Sequence, residues 1–293
     1  MNFQQLEYIV ALDKHRNFVA AANACFVSQP TLSAMVKKLE EELNIAIVKR
    51  GIHPLVFTPA GEQLLQQAKR ILAEQQLMRE LSKEISEGLS GEIRLCVIPS
   101  LAATLIPPLI QQIEASEHNL KVHLSELPTE KALQALLTGL VDVAILATRS
   151  DEHHFCSWPL FEEEIVAYVS PREKMPKGKF IQPEHLDNLQ QWFLSEEHCF
   201  RDQALEVCSR KAPHVGKTEY SAGSVLALTQ LVDFNGGITL IPAAAAEFLT
   251  HVQKANIRFF APPAPQRQVQ LTTLSEYPRK KIIDYLIELI RRP

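Results

Sequence analysis

Cysteine is scarce: the 293-residue chain has five, an odd number and too few for a disulfide scaffold. In such a chain the thiol is the default state, as in a reducing compartment, and any disulfide is transient. Charge of one sign is also lacking. A formal net charge of -4 argues against a protein that coats nucleic acid indiscriminately, while leaving room for a small local reading head. There is no apolar run of membrane-spanning length. The start, Met1-Asn2-Phe3-Gln4-Gln5-Leu6-Glu7-Tyr8, lacks the basic and apolar regions of a secretion signal, so the expectation is a cytoplasmic protein with no membrane partner. Internal repeats and low-complexity tracts are absent, and no cofactor and no metal site is expected. What remains, 46% hydrophobic and 22% charged residues, is ordinary for a globular chain with room for two or three domains and a sizeable core.

The first stretch reads as short helices. Phe3, Leu6, Ile9, Val10 and Leu12 keep helical spacing, and Asn17 caps a second helix through Phe18-Val19-Ala20-Ala21-Ala22. After a turn at Phe26-Val27-Ser28, Ser28 caps a third helix with Pro30 in its first turn and Val36, Leu39 and Leu43 on its buried face. The opposite face carries Ser33, Lys37 and Lys38, the hydroxyl and lysines that a major-groove reading helix requires, or that a solvated face of a small bundle would carry. Thr58 and Pro59 then start a long segment with Leu64, Leu65, Ala68, Ile71, Leu72, Leu77 and Leu81 at helical intervals. Gly88-Leu89-Ser90-Gly91 breaks it and marks a domain boundary.

Beyond Gly91 strands and helices alternate. Strands around Ile93 to Val97, Val122 to Leu124 and Val141 to Leu146 are separated by helices, the first opened by Pro107-Pro108 and the second starting at Pro128-Thr129. This is the pattern of a parallel sheet. Ser100 and Thr129 fall where a strand's carboxyl end gives way to a helix, which is where open α/β sheets bind ligands, although either hydroxyl could merely cap its helix. A second set of elements starts at Phe161, and Pro262, Pro263 and Pro265 mark a return. Val269 to Leu274 and an amphipathic terminal helix then rejoin the first sheet. Two α/β lobes with two crossings make a hinged cleft.

Two of the cysteines, Cys199 and Cys208, lie in one segment of helix-favouring residues. As a continuous helix that segment would hold their Cα atoms roughly 13 Å apart, whereas a disulfide needs about 4.4 to 6.8 Å. The pair can be bridged only if the helix unwinds. His198 and Arg201 flank Cys199 with the kind of charge that favours thiolate. A pair of buried apolar fillers is the plainer reading of the same residues. Cys25, Cys96 and Cys156 lack such neighbours and read as structural, with Cys156 in a connecting stretch.

The residues from Phe18 to about Gly61, through Ala21-Ala22, Val27-Ser28-Gln29-Pro30-Thr31-Leu32-Ser33, Leu39-Glu40-Glu41-Glu42-Leu43 and Phe57-Thr58-Pro59-Ala60-Gly61, resemble the winged helix-turn-helix of LysR-type transcriptional regulators. The two-lobed remainder is similar to that family's effector domain, itself like periplasmic binding proteins. The resemblance implies an α/β chain with an N-terminal, largely helical DNA-binding domain at 1-58, a linker and dimerisation helix with hinge at 59-90, and an effector domain at 91-293. Lobe I would be 91-161 plus 268-293, and lobe II 162-267. It also implies that Gln29, Pro30, Thr31, Ser33 and Lys37 face double-stranded DNA and that Arg50 grips a phosphate beside a wing at Gly51-Ile52-His53-Pro54. That wing is less basic than in many relatives.

Local detail, namely His198-Cys199, Arg201-Asp202-Gln203-Ala204-Leu205, Cys208 and Gly236-Gly237-Ile238-Thr239-Leu240-Ile241-Pro242, is similar to the hydrogen-peroxide-sensing branch of that family. In that branch Cys199 would be oxidised to a sulfenic acid and Cys208 would resolve it as a reversible disulfide. Ser100, Thr129 and His198 would hold peroxide near the sulfur, Arg201 would lower the thiol's pKa, and Arg267 would complete the electrostatics. The branch usually has threonine where this chain has Ser100. The partners implied are operator DNA, hydrogen peroxide as signal, and a second copy of the chain in a homodimer or tetramer; RNA polymerase is a further candidate. Two other functions fit parts of the sequence: a regulator of the same family with a small organic effector in the cleft and inert cysteines, and a thiol peroxidase, which the winged head disfavours.

Overall fold

The structure, a computed structural model, describes all residues except positions 50, 53, 149–152, 177, 179, 188, 209–219, 221 and 292–293. Arg50 and His53 of the wing therefore lie outside the described residues. The chain divides into one body of Met1–Gly88 with Leu137–Leu140 and another of Leu89–Leu136 with Val141–Pro293.

In the first body, side chains cap each helix start. Helix α1 (Phe3–His15) opens on a reciprocal pair in which Asn2 accepts from the Gln5 N–H and Gln5 accepts from the Asn2 N–H. Asn17 accepts from Val19 and Ala20 to start α2 (Phe18–Ala24), and Ser28 accepts from Thr31 to start α3 (Gln29–Leu43). Leu6, Ile9, Leu12, Ala21, Ala22, Leu32, Val36 and Leu39 form the shared core. A two-stranded wing follows, β1 (Val48–Lys49) antiparallel to β2 (Val56–Phe57). Helix α4 (Pro59–Glu87) then runs 29 residues, about 43 Å at the usual rise. Thr58 starts it by accepting from Gly61 and donating to the Ala46 carbonyl at 2.6 Å. A Cβ at Gly61 would land on the Ile47 backbone, so only glycine lets α4 leave the head along this path. Leu65 and Ala68 are buried in the head core, whereas Met78 and Ile85 farther along are exposed.

The second body is built on one curled sheet. Strands β3 (Gly91–Val97), β4 (Leu120–Glu126) and β5 (Val143–Leu146) pair in parallel in the order β4-β3-β5. Helices α5 (Pro99–Glu114) and α6 (Thr129–Leu137) make the crossovers. Every residue of β5 is buried, as befits a parallel strand covered on both faces. Helix α5 starts at Pro99, not at Pro107-Pro108, which lie inside it. The two internal prolines are exposed, as is Ala103, so the carbonyls that lose their donors face solvent rather than the core.

Strand β6 (Phe155–Val169) runs 15 residues without a break, so Cys156 is a strand residue paired with Thr273 rather than part of a connection. Beyond β6 lie β7 (Phe180–Ile181), β8 (Gln191–Trp192), α7 (Cys199–Val207), α8 (Val225–Asn235), β9 (Ile238–Pro242), α9 (His251–Lys254) and β10 (Ile257–Phe260). The carboxyl half of β6 pairs with β9 and β10, and β8 with β9, so the second lobe is built on the far part of the same sheet, with its own core around Ile165, Ala167, Phe200 and Leu240. Strand β11 (Gln266–Leu274) returns antiparallel to β6 from Gln266↔Glu164 to Leu274↔Phe155, with one register shift between Val269 and Gln270, and also pairs with β5. Helix α10 (Lys280–Arg291) buries Ile282, Ile283, Leu286 and Ile287 and packs against α5 and β6. The two crossings between lobes are thus one pair of long, hydrogen-bonded strands.

Candidate functional site

The carboxyl ends of β4, β3 and β5 lie side by side at strand spacing, and Thr129, Ser100 and Ala147-Thr148 follow them in that order. Ser100 is in the first turn of α5, whose N-cap, Ile98, offers no side-chain bond. Its hydroxyl is engaged elsewhere, accepting from Arg267 Nη1 at 2.9 Å. Arg267 sits opposite Glu163 in the β6–β11 ladder, and both are buried, with side chains 1% and 5% exposed. Its Nε and Nη2 meet Glu163 Oε2 at 2.7 and 2.6 Å, and its guanidinium lies 5.0 Å above the Phe200 ring. Glu163 balances the buried charge and leaves Nη1 aimed at Ser100.

Helix α7 begins at Cys199 and is continuous through Val207, with the Cys208 N–H bonded to the Ala204 carbonyl at 3.0 Å. Its two faces differ. Phe200, Ala204 and Cys208, at i, i+4 and i+8, are buried in the second lobe's core. Cys199 and Gln203, again i and i+4, share another face, and Gln203 Nε2 donates to the Ala147 carbonyl at the end of β5 at 2.6 Å. A second tie joins the lobes beside the helix start, where Lys131 of α6 meets Glu197 at 2.9 Å. The Cys199 face of α7 is therefore turned toward the strand ends that carry Ser100 and Thr129.

Several polar atoms in this neighbourhood are buried with no hydrogen-bond partner: Thr129 Oγ1, Thr148 Oγ1 and Gln203 Oε1. Buried polar atoms are nearly always satisfied, so these three oxygens are open to ordered water or to a small polar ligand. The two thiols differ in setting: Cys199 is half-buried, while Cys208 is fully buried and pushed up to about 12 by burial and the nearby Asp187 carboxylate. Burial likewise pushes the buried Cys96 thiol up to about 12 and raises that of Cys25, which follows α2 as its C-cap. Burial also holds His198 below its ordinary value, against the opposing pull of Glu197. Burial thus favours the neutral imidazole, which can both donate and accept, at the helix start. Arg201 is committed to Glu196 at 2.8 Å. Two residues along a helix point roughly 200° apart, so Arg201 does not share the Cys199 face. Gln203 and Lys131 were not singled out from sequence; the i, i+4 spacing of Cys199 and Gln203 was the available signal.

A cavity of about 460 Å³ opens beside these groups between α5 and the start of α8, with Ser100 and His198 in its wall and Ile106, Leu194 and Val225 among its apolar lining. In the first body Gln29, Pro30 and Thr31 are exposed at the start of α3, Ser33 is half-buried, and Lys37 is exposed and loosely paired with Glu41 at 3.4 Å. Thr31 Oγ1 lies 2.8 Å from the capping Ser28 Oγ. Gln29 and Ser33 border a groove of about 340 Å³ with Lys49, Gly51 and Ile52 of the wing. Among the described residues no helix is long and apolar enough to cross a membrane on its own, and no cluster of side chains suits a metal ion.

A winged head with an exposed helix start, followed by a long helix and a curled α/β body with polar groups gathered where its strands end, defines a DNA-binding transcriptional regulator of the two-part, sensor-and-head class. The chain belongs to the LysR family: residues 3–62 match the bacterial regulatory helix-turn-helix protein, lysR family, and residues 86–292 match the LysR substrate binding domain. It is 32% identical over 273 residues to the hydrogen peroxide-inducible genes activator of Haemophilus influenzae, covering 92% of this chain and 90% of that one. It is also 32% identical over 294 residues to the DNA-binding transcriptional dual regulator OxyR of Escherichia coli, covering 99% and 95%. Among solved structures it is similar to full-length OxyR C199D from Pseudomonas aeruginosa, with a TM-score of 0.79, 31% identity and coverage of 100% and 98%. These relatives are transcriptional regulators, and both matching family models are of the LysR type.

Proposed function

We propose that the protein senses hydrogen peroxide through Cys199 and converts its oxidation into a reversible Cys199–Cys208 disulfide that reshapes a homo-oligomer on operator DNA. The observation that carries this reading is the face of α7 holding Cys199 and Gln203, turned toward a strand edge with unpartnered buried oxygens at Thr129, Thr148 and Gln203. The names of the relatives, peroxide-inducible activators, support it. The same reading assigns the head to 1-58, the linker helix and hinge to 59-90 and the sensor to 91-293, with lobes 91-161 plus 268-293 and 162-267.

In the proposed reaction the Cys199 thiolate attacks one peroxide oxygen, the O–O bond breaks, and the leaving hydroxide takes a proton and departs as water. Ser100, Thr129, His198 and Gln203 hold the peroxide by hydrogen bonds, and Arg267, fixed by Glu163, orients Ser100. Arg201 acts by anchoring the helix start to Glu196 rather than by direct contact with the sulfur. The Cys208 thiol then attacks the sulfenic acid, expelling a second water. Cys199 and Cys208 span α7, whose length holds their Cα atoms roughly 13 Å apart, so closing the bond unwinds it. Unwinding extracts Phe200 from the core and breaks the Gln203–Ala147 and Lys131–Glu197 ties, so a two-electron event becomes a change in how the lobes meet. Gln29, Pro30, Thr31, Ser33 and Lys37 are the proposed DNA contacts, with Arg50 as a phosphate contact. RNA polymerase is a candidate partner once the oligomer has rearranged.

The test is brief, substoichiometric peroxide followed by peptide mass spectrometry and footprinting of operator DNA. A Cys199–Cys208 linkage and a changed footprint are expected. Cys199→Ser should bind DNA and lose the change; absence of the linkage, or a redox-independent footprint, refutes the switch and leaves an organic effector in the 460 Å³ cavity as the remaining reading.

A further inference from the structure

Where β5 ends, two consecutive backbone carbonyls are taken by glutamine side chains. The ladder between β5 and β11 stops at Leu146↔Gln270. Next to that pair, between Val269 and Gln270, β11 shifts register against β6, and its backbone no longer pairs with the chain leaving β5. The side chain of Gln270 takes over: Nε2 donates to the Thr148 carbonyl at 2.6 Å, two residues past its own pairing partner. The adjoining carbonyl, that of Ala147, accepts from Gln203 Nε2 of α7, also at 2.6 Å. Gln270 is buried, and the Thr148 hydroxyl does not help to fix the segment, being buried with no partner. A run of bonds therefore joins the irregularity in the β6–β11 ladder to the helix that separates the two thiols.

We propose, resting on the peroxide-sensing reading above, that Gln270 is a positioning residue for the disulfide switch: by fixing Thr148, and with it the Ala147 carbonyl, it holds Gln203 and sets how readily α7 unwinds. The Gln203–Ala147 bond exists only while α7 is helical, because Gln203 lies in the stretch that closing the Cys199–Cys208 bond must melt. Gln270 lies on β11, outside that stretch. Freeing the Ala147 carbonyl therefore weakens the dithiol state and not the disulfide state, and the equilibrium moves toward the disulfide. Exchange with glutathione reads this difference directly. The two protein thiols give two electrons and two protons to glutathione disulfide, which becomes two molecules of glutathione, while the Cys199–Cys208 bond forms.

The experiment equilibrates the full-length protein, without oxygen, in mixtures of reduced and oxidised glutathione, quenches with an alkylating agent and measures the Cys199–Cys208 disulfide by mass spectrometry. Gln270→Met keeps the reach of the side chain and removes the donor. It should raise the disulfide-to-dithiol ratio by about two- to tenfold, the factor that the net contribution of one hydrogen bond implies. Gln203→Met should also raise the ratio, and the two substitutions together should match Gln203→Met alone, because Gln270 then has nothing to act through. A residue that merely supports the fold would lower the urea midpoint and leave the ratio unchanged, or would add its full effect to that of Gln203→Met. A rise below about twofold in Gln270→Met, a fall, or additive effects in the double variant therefore overturns the proposal. If Gln270→Met does not fold, Gln270→Asn, whose amide stops a methylene short of Thr148, carries the same expectation. Absence of any Cys199–Cys208 disulfide in the unsubstituted protein refutes the peroxide-sensing reading itself, whereas a disulfide whose ratio ignores Gln270 refutes only the role given to this residue.

Discussion

Replacing Glu163 with alanine removes the carboxylate and leaves the Arg267 guanidinium buried without its counter-charge. Both side chains are nearly inaccessible, 1% and 5% exposed, so water cannot screen the loss. Breaking a buried pair from one side costs about 3–5 kcal/mol, whereas replacing both partners by apolar residues of similar volume is often close to neutral. The chain has two tryptophans, Trp158 on β6 and Trp192 on β8, so their fluorescence reports on the second body alone. For a body of this size a urea m-value of roughly 2 kcal/mol/M converts the cost into a fall in midpoint of about 1.5–2.5 M. Glu163→Met combined with Arg267→Met should recover most of that fall. A fall below about 0.5 M for the alanine variant, or a double variant no better than the single, would show that the pair is not the anchor of this site. In the folded fraction Glu163→Gln should also slow Cys199 oxidation, because Arg267 loses the partner that aims Nη1 at Ser100.

Gly61→Ala should destabilise the head by roughly 2 kcal/mol or more, since the new methyl group collides with the Ile47 backbone rather than with a movable side chain; loss of helical signal on heating, measured by far-ultraviolet circular dichroism, checks it. Iodoacetamide at pH 8 should label half-buried Cys199 well before Cys96 and Cys208, both buried and pushed up to about 12; equal labelling of Cys208 in the reduced protein would mean that α7 is already open. His198 is depressed by burial, so the native state resists its protonation while the unfolded chain does not. Stability should be full above pH 6.5, the ordinary histidine value, and decline as pH falls through the lower folded value. His198→Gln should flatten that part of a stability-against-pH curve, and an unchanged slope would assign the decline to another group.

Much of the fold was written locally. Asn17, Ser28, Thr58 and Ser224 all cap helices, because a short polar side chain before an apolar helical repeat has few other uses. Proline was less readable. Pro107-Pro108 has the form of a helix start, yet the pair sits inside α5, tolerated because its missing donors fall on the solvent side, while Pro99 carries the true start. The site was readable as a set of residue types but not as an arrangement. Cys199, Ser100 and Thr129 could be nominated by motif and strand-end position, while Arg201 looked like a neighbour of the thiol only in sequence. Helical geometry turns it toward Glu196 and puts Gln203 on the thiol's face instead. The Arg267–Glu163 pair joins residues 104 positions apart, a separation that no local pattern reveals.

The paired strands β6 and β11 have a mechanical consequence. Hinged binding proteins close when their connecting segments bend, and here both connecting segments belong to one ladder running from Gln266↔Glu164 to Leu274↔Phe155, with its one irregularity, at Val269 and Gln270, close to where the strands pass between lobes. Bending the strands sharply at this seam would sacrifice backbone hydrogen bonds of the ladder, so a wide clamshell motion costs more than a local repacking of what lies between the lobes. A signal arising in this body then has to be carried by a part that can refold while the seam stays shut. Helix α7, nine residues long and tied to the facing lobe through Gln203, is such a part, and it leaves the seam as a fixed reference against which any repacking would be felt.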